Sequence, residues 1–459
     1  MVWLFVLSAQ GGQTAASYYA APWAAEDGDG TFERPWQLKS VLATPSGILP
    51  GDTLWLRGGV YKGPFVSNLA GTEFAPIKVR SYAGEQATLE GCDCPDTVLT
   101  VNGPWTWYMG FEVRSPSPDR STDAVRGAGL TILGAHTKFI NLVVHDNNQG
   151  FSFWTPAVDA ELYGNLVYYN GWDESDRGHG HGVYSQNQEG TKYIVDNVIF
   201  SQFSHGVHIY GSEEAPLDGF HVEGNVLFQN GIMSKTSGYA RNLLLGGGRV
   251  ANRAEVLSNY TYYPPAQNSG ENNLGYRAGC RDVDFRNNYL VGGTALAVIN
   301  CESLSFTGNF VFGVMANAVK ARYPDNNYVA ERPARNAILV RPNLYEPGRS
   351  HVIVYNWQRS DEVEVDLAGS GLRFGDQYEL RSAEDPFGMA VSGTYAGQPI
   401  RILMNGWGIA QPIGAEKPAS ALPEFGVFLI SKLPDAGSRS PVPPIGGAAR
   451  PHSDSSHGK

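Results

Sequence analysis

GVYSQNQEGTKYIVDNVIFSQFSHGVHIYGSEEAPLDGFHVEGNVLFQN, residues 182–230, says the same thing twice. Each pass opens on Gly before alternating apolar residues, GVYSQ from Gly182 and GVHIY from Gly206. Each closes on Asn before an apolar run, NVIFS from Asn197 and NVLFQN from Asn225. Outward from here the Asn marker recurs at Asn141 (NLVVH), Asn165 (NLVYYN), Asn259 (NYTYY), Asn288 (NYLVGG) and Asn309 (NFVFG), with 21 to 34 residues between successive copies. The Gly marker recurs as GLTIL from Gly129 and GFSFW from Gly150, and NLLLG from Asn242 falls in the same register. A fixed short unit carrying loops of variable length is how the rung of a solenoid behaves. The two markers in phase predict an all-β, right-handed parallel β-helix whose strands stack rung on rung at about 4.8 Å. An Asn at one corner can then bond the backbone of its copies and satisfy groups that would otherwise be orphaned.

Composition agrees. Of 459 residues, 55 are Gly and 23 Tyr, and only 17% are charged, which suits strands and turns rather than helical bundles. The net charge of −11 argues against nucleic acid as a partner, because phosphate binding needs a basic field. The first 17 residues, MVWLFVLSAQGGQTAAS, have an apolar core followed by small residues and resemble the latter part of a secretory signal. No later stretch is apolar for long enough to span a membrane. The mature chain is therefore expected to be a soluble monomer, secreted or periplasmic.

Four Cys are too few for a disulfide scaffold, and Cys92 and Cys94 are too close in sequence for a structural zinc pair. Cys280 and Cys301 each precede a marker Asn by eight residues, Asn288 and Asn309, which places them at equivalent points of adjacent rungs. Such neighbours suit either a disulfide or two buried thiols.

After Arg322 the pattern changes to longer alternating strands such as NAILVRPNLYEPGRSHVIVYNW and EFGVFLISKL, so residues 323–432 are expected to form a small antiparallel β-sandwich. Residues 433–459, rich in Pro, Gly and Ser, are expected to be disordered.

YYAAPWAAEDGDGTFERPWQLKSVLATPSGILPGDTLWLRGGVY, at the N-terminus, resembles the opening segment of pectate-lyase-like β-helix proteins, and APIKVRSYAGEQATLEG resembles their first full rung. The resemblance covers residues 18–322. It implies a capping helix from about Pro35 to Leu42 and a place near chondroitinase-B-like and alginate-lyase-like polysaccharide lyases. It supplies no catalytic motif that can be carried over residue by residue.

The candidate site comes from stacking the Gly-led strands. One outward column reads Ser152, Tyr184, His208, Leu244; a second reads Trp154, Gln186, Tyr210, Gly246; the residues at the strand starts are Gln149, His181, His205, Arg241. His179 lies two residues before His181, so four imidazoles fall on two consecutive rungs. An exposed wall of aromatic rings and imidazoles suits a sugar polymer, since rings stack on pyranose faces while polar groups take the hydroxyls. Elimination on a uronic acid polymer needs a base, a group that neutralises the carboxylate, and a donor to the leaving oxygen. Tyr184 and His208 are candidates to share the acid and base roles, with His181 and His205 beside them and Arg241 or Arg177 to neutralise the carboxylate. Trp154, Gln186, Tyr210 and His179 are candidate sugar contacts. Calcium is the candidate cofactor, with Asp173, Glu174 and Asp176 as oxygen ligands, and the clustered His also admit a transition metal.

Two other functions stay open. Hydrolysis needs a carboxylate pair about 5 to 9.5 Å apart, whereas Asp173 and Asp176 stand about 16 Å from Glu213 and Glu214 by strand length. A non-catalytic carbohydrate-binding protein would use the same aromatic wall. His145 and His221 are read as turn or surface residues, His351 as structural, and Lys192 as lying on another side of the coil.

Overall fold

The computed structural model describes residues 15–236, 241–264, 272–316 and 320–434. Most of the expected leader and tail lie outside the described residues. Ser17, the last residue of the expected leader, already belongs to the first strand of the coil, where it pairs with Thr53.

The repeats close into a three-faced parallel β-helix. One face is an eleven-stranded parallel sheet running from Ser17–Ala20 to Leu304–Thr307. A second ladder runs from Gly59–Lys62 through Val143–His145, Leu166–Tyr168, Val198–Phe200 and Val226–Phe228 to Asn327–Val329. The third, built on the Gly-led segments, runs from Phe65–Ser67 through Phe151–Phe153, Val183–Ser185 and Val207–Ile209 to Leu243–Gly247 and Asn272–Arg277. Alternation decides which side chains go in: Phe151, Phe153, Val183, Val207, Ile209, Leu243 and Leu245 fill the interior, and the residues between them face outward. The N-terminal helix is shorter than expected, six residues at Leu38–Ala43, with Leu38, Val41 and Leu42 joining the same interior.

The Asn ladder forms at the corner between the first and second faces. Asn197 donates from both its backbone N–H (3.0 Å) and Nδ2 (2.9 Å) to Oδ1 of Asn225, whose own Nδ2 donates to the Ile194 carbonyl (2.7 Å). The pattern repeats along Asn165, Asn197, Asn225, Asn259, Asn288 and Asn309 and ends on Asn326. Asn141 is not a member, which corrects the sequence reading. Val143 pairs with Leu166, so Leu142 takes the ladder position and its N–H donates to Asn165 Oδ1. Asn141 sits one residue earlier, at φ +54°, where the other rungs place Gly164 (+67°), Asp196 (+54°), Gly224 (+68°) and Asn287 (+57°). That position demands the left-handed region, which Asn tolerates better than most residues.

The C-terminal unit is antiparallel: a five-stranded sheet contains Ala337–Pro342, Arg349–Tyr355, Phe425–Lys432, Gln377–Ser382 and Ala390–Thr394, and Glu362–Val365 pairs with Ile400–Leu403. Alternation splits its central strand between two duties. Val352 and Val354 face the unit's own core, while Ile353 and Tyr355 join Phe425, Val427 and Leu429 against the outer side of the coil's second face. The coil offers Tyr168, Phe200, Phe228, Tyr260 and Tyr262 there, with Phe200 and Phe228 stacked at 4.7 Å and Tyr262 on Phe425 at 4.7 Å. The sandwich thus covers the second face, and the Gly-led third face is left to other uses.

His145 is corrected by this junction. It is buried, with Nδ1 2.7 Å from Asp146 and Nε2 2.8 Å from Glu112. Burial pushes its pKa down, but the two carboxylates outweigh that and raise it to about 9, while Glu112 is held at about 2. Asp146 also pairs with Arg120 and accepts from the Ile413 N–H of the C-terminal unit (2.9 Å). His221 lies on the first sheet between Glu223 and Glu255, and His351 is buried in the sandwich. Cys280 and Cys301 pair across adjacent rungs in a disulfide, and Cys92 is bonded to Cys94.

Candidate active site on the Gly-led face

The expected columns are the observed ones. Ser152 pairs with Tyr184, Tyr184 with His208, and His208 with Leu244. His181 and His205 stand at the strand starts, with their rings stacked at 5.0 Å, and His208 meets them edge-on at 4.2 and 4.3 Å. Tyr184 lies against His208 at 5.2 Å and Trp154 at 5.5 Å, and His208 stacks on Tyr210 at 4.7 Å. The wall is less open than the sequence suggested. His181, His205 and His208 are all buried, because Tyr184, Tyr210 and one another cover them, and the half-buried rings of Trp154, Tyr184 and Tyr210 form the rim.

Backbone donors fix the protonation of all three imidazoles. The Arg241 N–H donates to His205 Nδ1 (2.9 Å), and the His205 N–H donates to His181 Nδ1 (3.2 Å). A neutral imidazole that accepts at Nδ1 carries its proton on Nε2. His181 Nε2–H therefore donates to His208 Nδ1 (3.0 Å), which places the His208 proton on Nε2 as well. Adding a second proton to any member would set N–H against N–H. Burial, reinforced by mutual repulsion and by Arg177, agrees: it lowers the pKa of His181 to about 3 and those of His205 and His208 well below the usual value. His208 is thus a fixed neutral donor. That corrects its expected share in the base role, since a base at Nε2 would need the opposite tautomer throughout the string.

The same polarity decides the metal question. One nitrogen from each of His181, His205 and His208 lies within 4.8 Å of the others, close enough to surround an ion. A ligating His normally donates its other ring N–H to an acceptor. Here Nδ1 of His181 and of His205 faces a donor instead, so neither Nε2 has a lone pair to offer, and the trio does not fit a transition metal. Calcium fits no better. Asp173 is turned to Ser234 Oγ (2.6 Å) and the Lys235 N–H (3.0 Å), away from Glu174 and Asp176. Glu174 accepts from Trp172, and Asp176 pairs with His179 (2.9 Å) and Arg177 (3.5 Å), leaving far fewer oxygens than the six to eight that calcium takes.

The remaining expected residues divide. Gln186 joins the site: it hydrogen-bonds the Tyr184 phenol, which lowers the phenol pKa against the larger upward push of burial. Arg241 contributes its backbone N–H. Arg177 and His179 belong to a small hairpin, Trp172–Asp173 with Gly178–His179, in which His179 stacks on Trp172 at 5.2 Å. Sequence reasoning missed Tyr276 and Arg277. Tyr276 lies 6.1 Å from Tyr210, and the exposed Arg277 guanidinium lies 5.9 and 5.5 Å from the Tyr210 and Tyr276 rings. Their strand pairs with Leu243–Gly247 through a bulge that skips Gly275, and its Gly comes mid-strand rather than at the start, so no marker flagged it. Lys192, in contrast, is inside the coil, with Nζ 2.5 Å from the Trp154 carbonyl and 3.1 Å from that of Ala157.

No family model matches the chain. Pectate lyase PEL9 of Emericella nidulans is 34% identical over 87 residues, which is 18% of this chain and 20% of that protein. The match thus spans about a fifth of that relative. Among solved structures, pectate lyase Pel9A is 18% identical with a TM-score of 0.48, over 71% of this chain and 84% of its own. An alginate lyase from Paenibacillus sp. str. FPU-7 is 18% identical (TM-score 0.43; 68% and 99% covered), and a GH136 lacto-N-biosidase from Eubacterium ramulus is 12% identical (TM-score 0.48; 69% and 67%). The fold is that of the pectate-lyase-like parallel β-helices. These β-helix neighbours include both polysaccharide lyases and a glycoside hydrolase, so the scaffold is common to both chemistries. Among the described residues, no helix is long and apolar enough to cross a membrane.

Proposed function

We propose that this protein is an exported polysaccharide lyase that cleaves a uronic-acid-containing polymer by β-elimination on the Gly-led face. The observation that carries the reading is the string of three imidazoles locked as neutral donors, opening at Tyr184 onto an aromatic rim. Elimination breaks the C–H bond next to the uronate carboxylate and the C–O bond to the leaving sugar, forms a C=C bond, and returns a proton to the departing oxygen. Its demand is for fixed donors where charge builds on the carboxylate, together with one group that moves a proton. The Nε2–H of His208 meets the first need at no cost in reorganisation, with Arg277 at the rim as its cationic supplement. Tyr184, held by Gln186, meets the second. Trp154, Tyr210 and Tyr276 supply stacking surface for flanking sugars.

Hydrolysis is less well supported, because among the described residues no carboxylate pair joins Tyr184 and the imidazoles. The stretch shared with pectate lyase PEL9 favours an acidic polymer. The test is a panel of acidic and neutral polysaccharides followed by absorbance of the unsaturated uronate and, separately, by reducing ends. Unsaturated product carries the reading. Reducing ends without it would replace it with hydrolysis, and binding without either would leave a non-catalytic carbohydrate-binding protein.

A further inference from the structure

Away from the imidazole wall, a cleft of about 350 Å³ opens where the sandwich meets the edge of the first face. Its coil side is the end of the strand Ile77–Ser81, and its sandwich side is formed by Arg349, Arg381 and Phe387. The volume is at the small end of the range for small-molecule pockets. We infer that this cleft is a second saccharide site, one that takes a carboxylated sugar residue.

Charge makes the first argument. Glu346 lies 3.7 Å from Arg349 and 3.9 Å from Arg80, Glu379 is bonded to Arg381 at 2.5 Å, and Glu85 is gripped by Arg57 at 2.9 Å. Four guanidiniums against three carboxylates leave one positive charge in a chain whose net charge is −11. Unmet donors make the second. Nε of Arg80, Nε of Arg349 and Oγ of Ser81 are shut off from water and find no partner among the described residues, so the protein does not use up the hydrogen-bonding capacity of these two guanidiniums. A guanidinium pair with spare capacity suits a planar carboxylate, which it can hold in a fork. Shape makes the third. Phe387 is 45% exposed at the mouth, an apolar ring kept in water beside three arginines. A pyranose carrying a carboxylate matches all three: its ring face stacks on Phe387 and its acid group reaches the guanidiniums.

The choice of a uronate rests on the proposed lyase reading, but the site does not depend on turnover, so the two can fail separately. The test uses the full chain with Tyr184→Phe, to prevent cleavage, and Phe387→Cys. All four native cysteines are in disulfides, so the new thiol is the reactive one. Its alkylation by iodoacetamide is timed with trigalacturonate and with neutral galactotriose. Alkylation reports the unliganded fraction, so trigalacturonate at about four times its Kd should slow it about fivefold. Galactotriose should leave the rate unchanged, and Arg349→Gln should abolish the protection. Arg381→Gln serves if Arg349→Gln loses its thermal unfolding transition. Equal rates with the two sugars, or protection that survives in a folded arginine variant, would overturn the inference.

Discussion

Lys192→Met tests how the coil interior supports the wall. Lys192 is fully buried with its ammonium 3.9 Å from the Phe153 ring centroid and no carboxylate partner, and burial lowers its pKa to about 6. The amine is thus mostly neutral when folded near neutral pH and charged when unfolded, where its pKa is about 10.4. Between about pH 6 and about pH 10 the unfolded chain holds one more proton, so this residue makes stability rise with pH by about 1.4 kcal/mol per unit. From about pH 7 to about pH 9 the wild type should gain about 2.7 kcal/mol relative to Lys192→Met. The absolute difference at one pH is less informative: losing the ionisation penalty is offset by orphaning the Trp154 and Ala157 carbonyls, at about 1 to 3 kcal/mol each. Urea unfolding followed by tryptophan fluorescence at three pH values measures the slope. A difference between the two proteins that does not change with pH would mean that Lys192 is folded as a cation, and the reasoning would fail. Because Nζ holds the carbonyl of Trp154, the variant should also weaken binding of an acidic trisaccharide, read by calorimetry.

Tyr184→Phe removes the proton-carrying group and should lower kcat by about 10² to 10⁴ with little change in KM; a loss smaller than tenfold would move proton transfer elsewhere. His208→Ala deletes a fixed donor and should cost about 10² to 10³ in kcat, and dialysis against EDTA should leave wild-type turnover unchanged, as steady-state assays can show. The imidazoles are neutral when folded and protonate on unfolding below about pH 6.5, so each contributes a loss of stability of about 1.4 kcal/mol per pH unit as pH falls. His145 acts in the opposite sense, because its raised pKa adds stability that is lost as pH rises through about 9. His205→Gln combined with His208→Gln should therefore flatten the acid side of the stability curve, and an unchanged curve would contradict the neutral string. Asn225→Ala breaks the corner ladder and should cost about 1 to 3 kcal/mol by leaving the Asn197 N–H and the Ile194 carbonyl unmet, measurable as a lowered urea midpoint.

The fold was legible because rung periodicity is a one-dimensional signal. Gly182, Gly206, Asn197 and Asn225 recur in phase, and stacking turns that phase directly into neighbours, as the Tyr184 to His208 register confirms. The error at Asn141 has a local cause. Two adjacent corner positions both accept Asn, one for its side-chain bonds and the next for its tolerance of positive φ, and residue type alone does not separate them. The columns of the site followed from the register, but its protonation did not. Which imidazole nitrogen faces a donor depends on where the N–H groups of His205 and Arg241 point, and spacing does not encode that. Burial escaped as well: outward on the strand was read as exposed, whereas Tyr184 and Tyr210 fold over their neighbours. Tyr276 and Arg277 were hidden by a bulge that shifts the marker by one.

The strand Arg349–Tyr355 serves two cores on alternate residues, which bears on how the chain can be cut. Neither half owns a finished surface along that seam. Truncation before Ala337 would strip the cover from Tyr168, Phe200, Phe228, Tyr260 and Tyr262 and leave a continuous aromatic strip in water, the kind of patch that drives self-association. The sandwich is in that sense the outer lining of the coil, and the two are inherited, expressed and unfolded as one object.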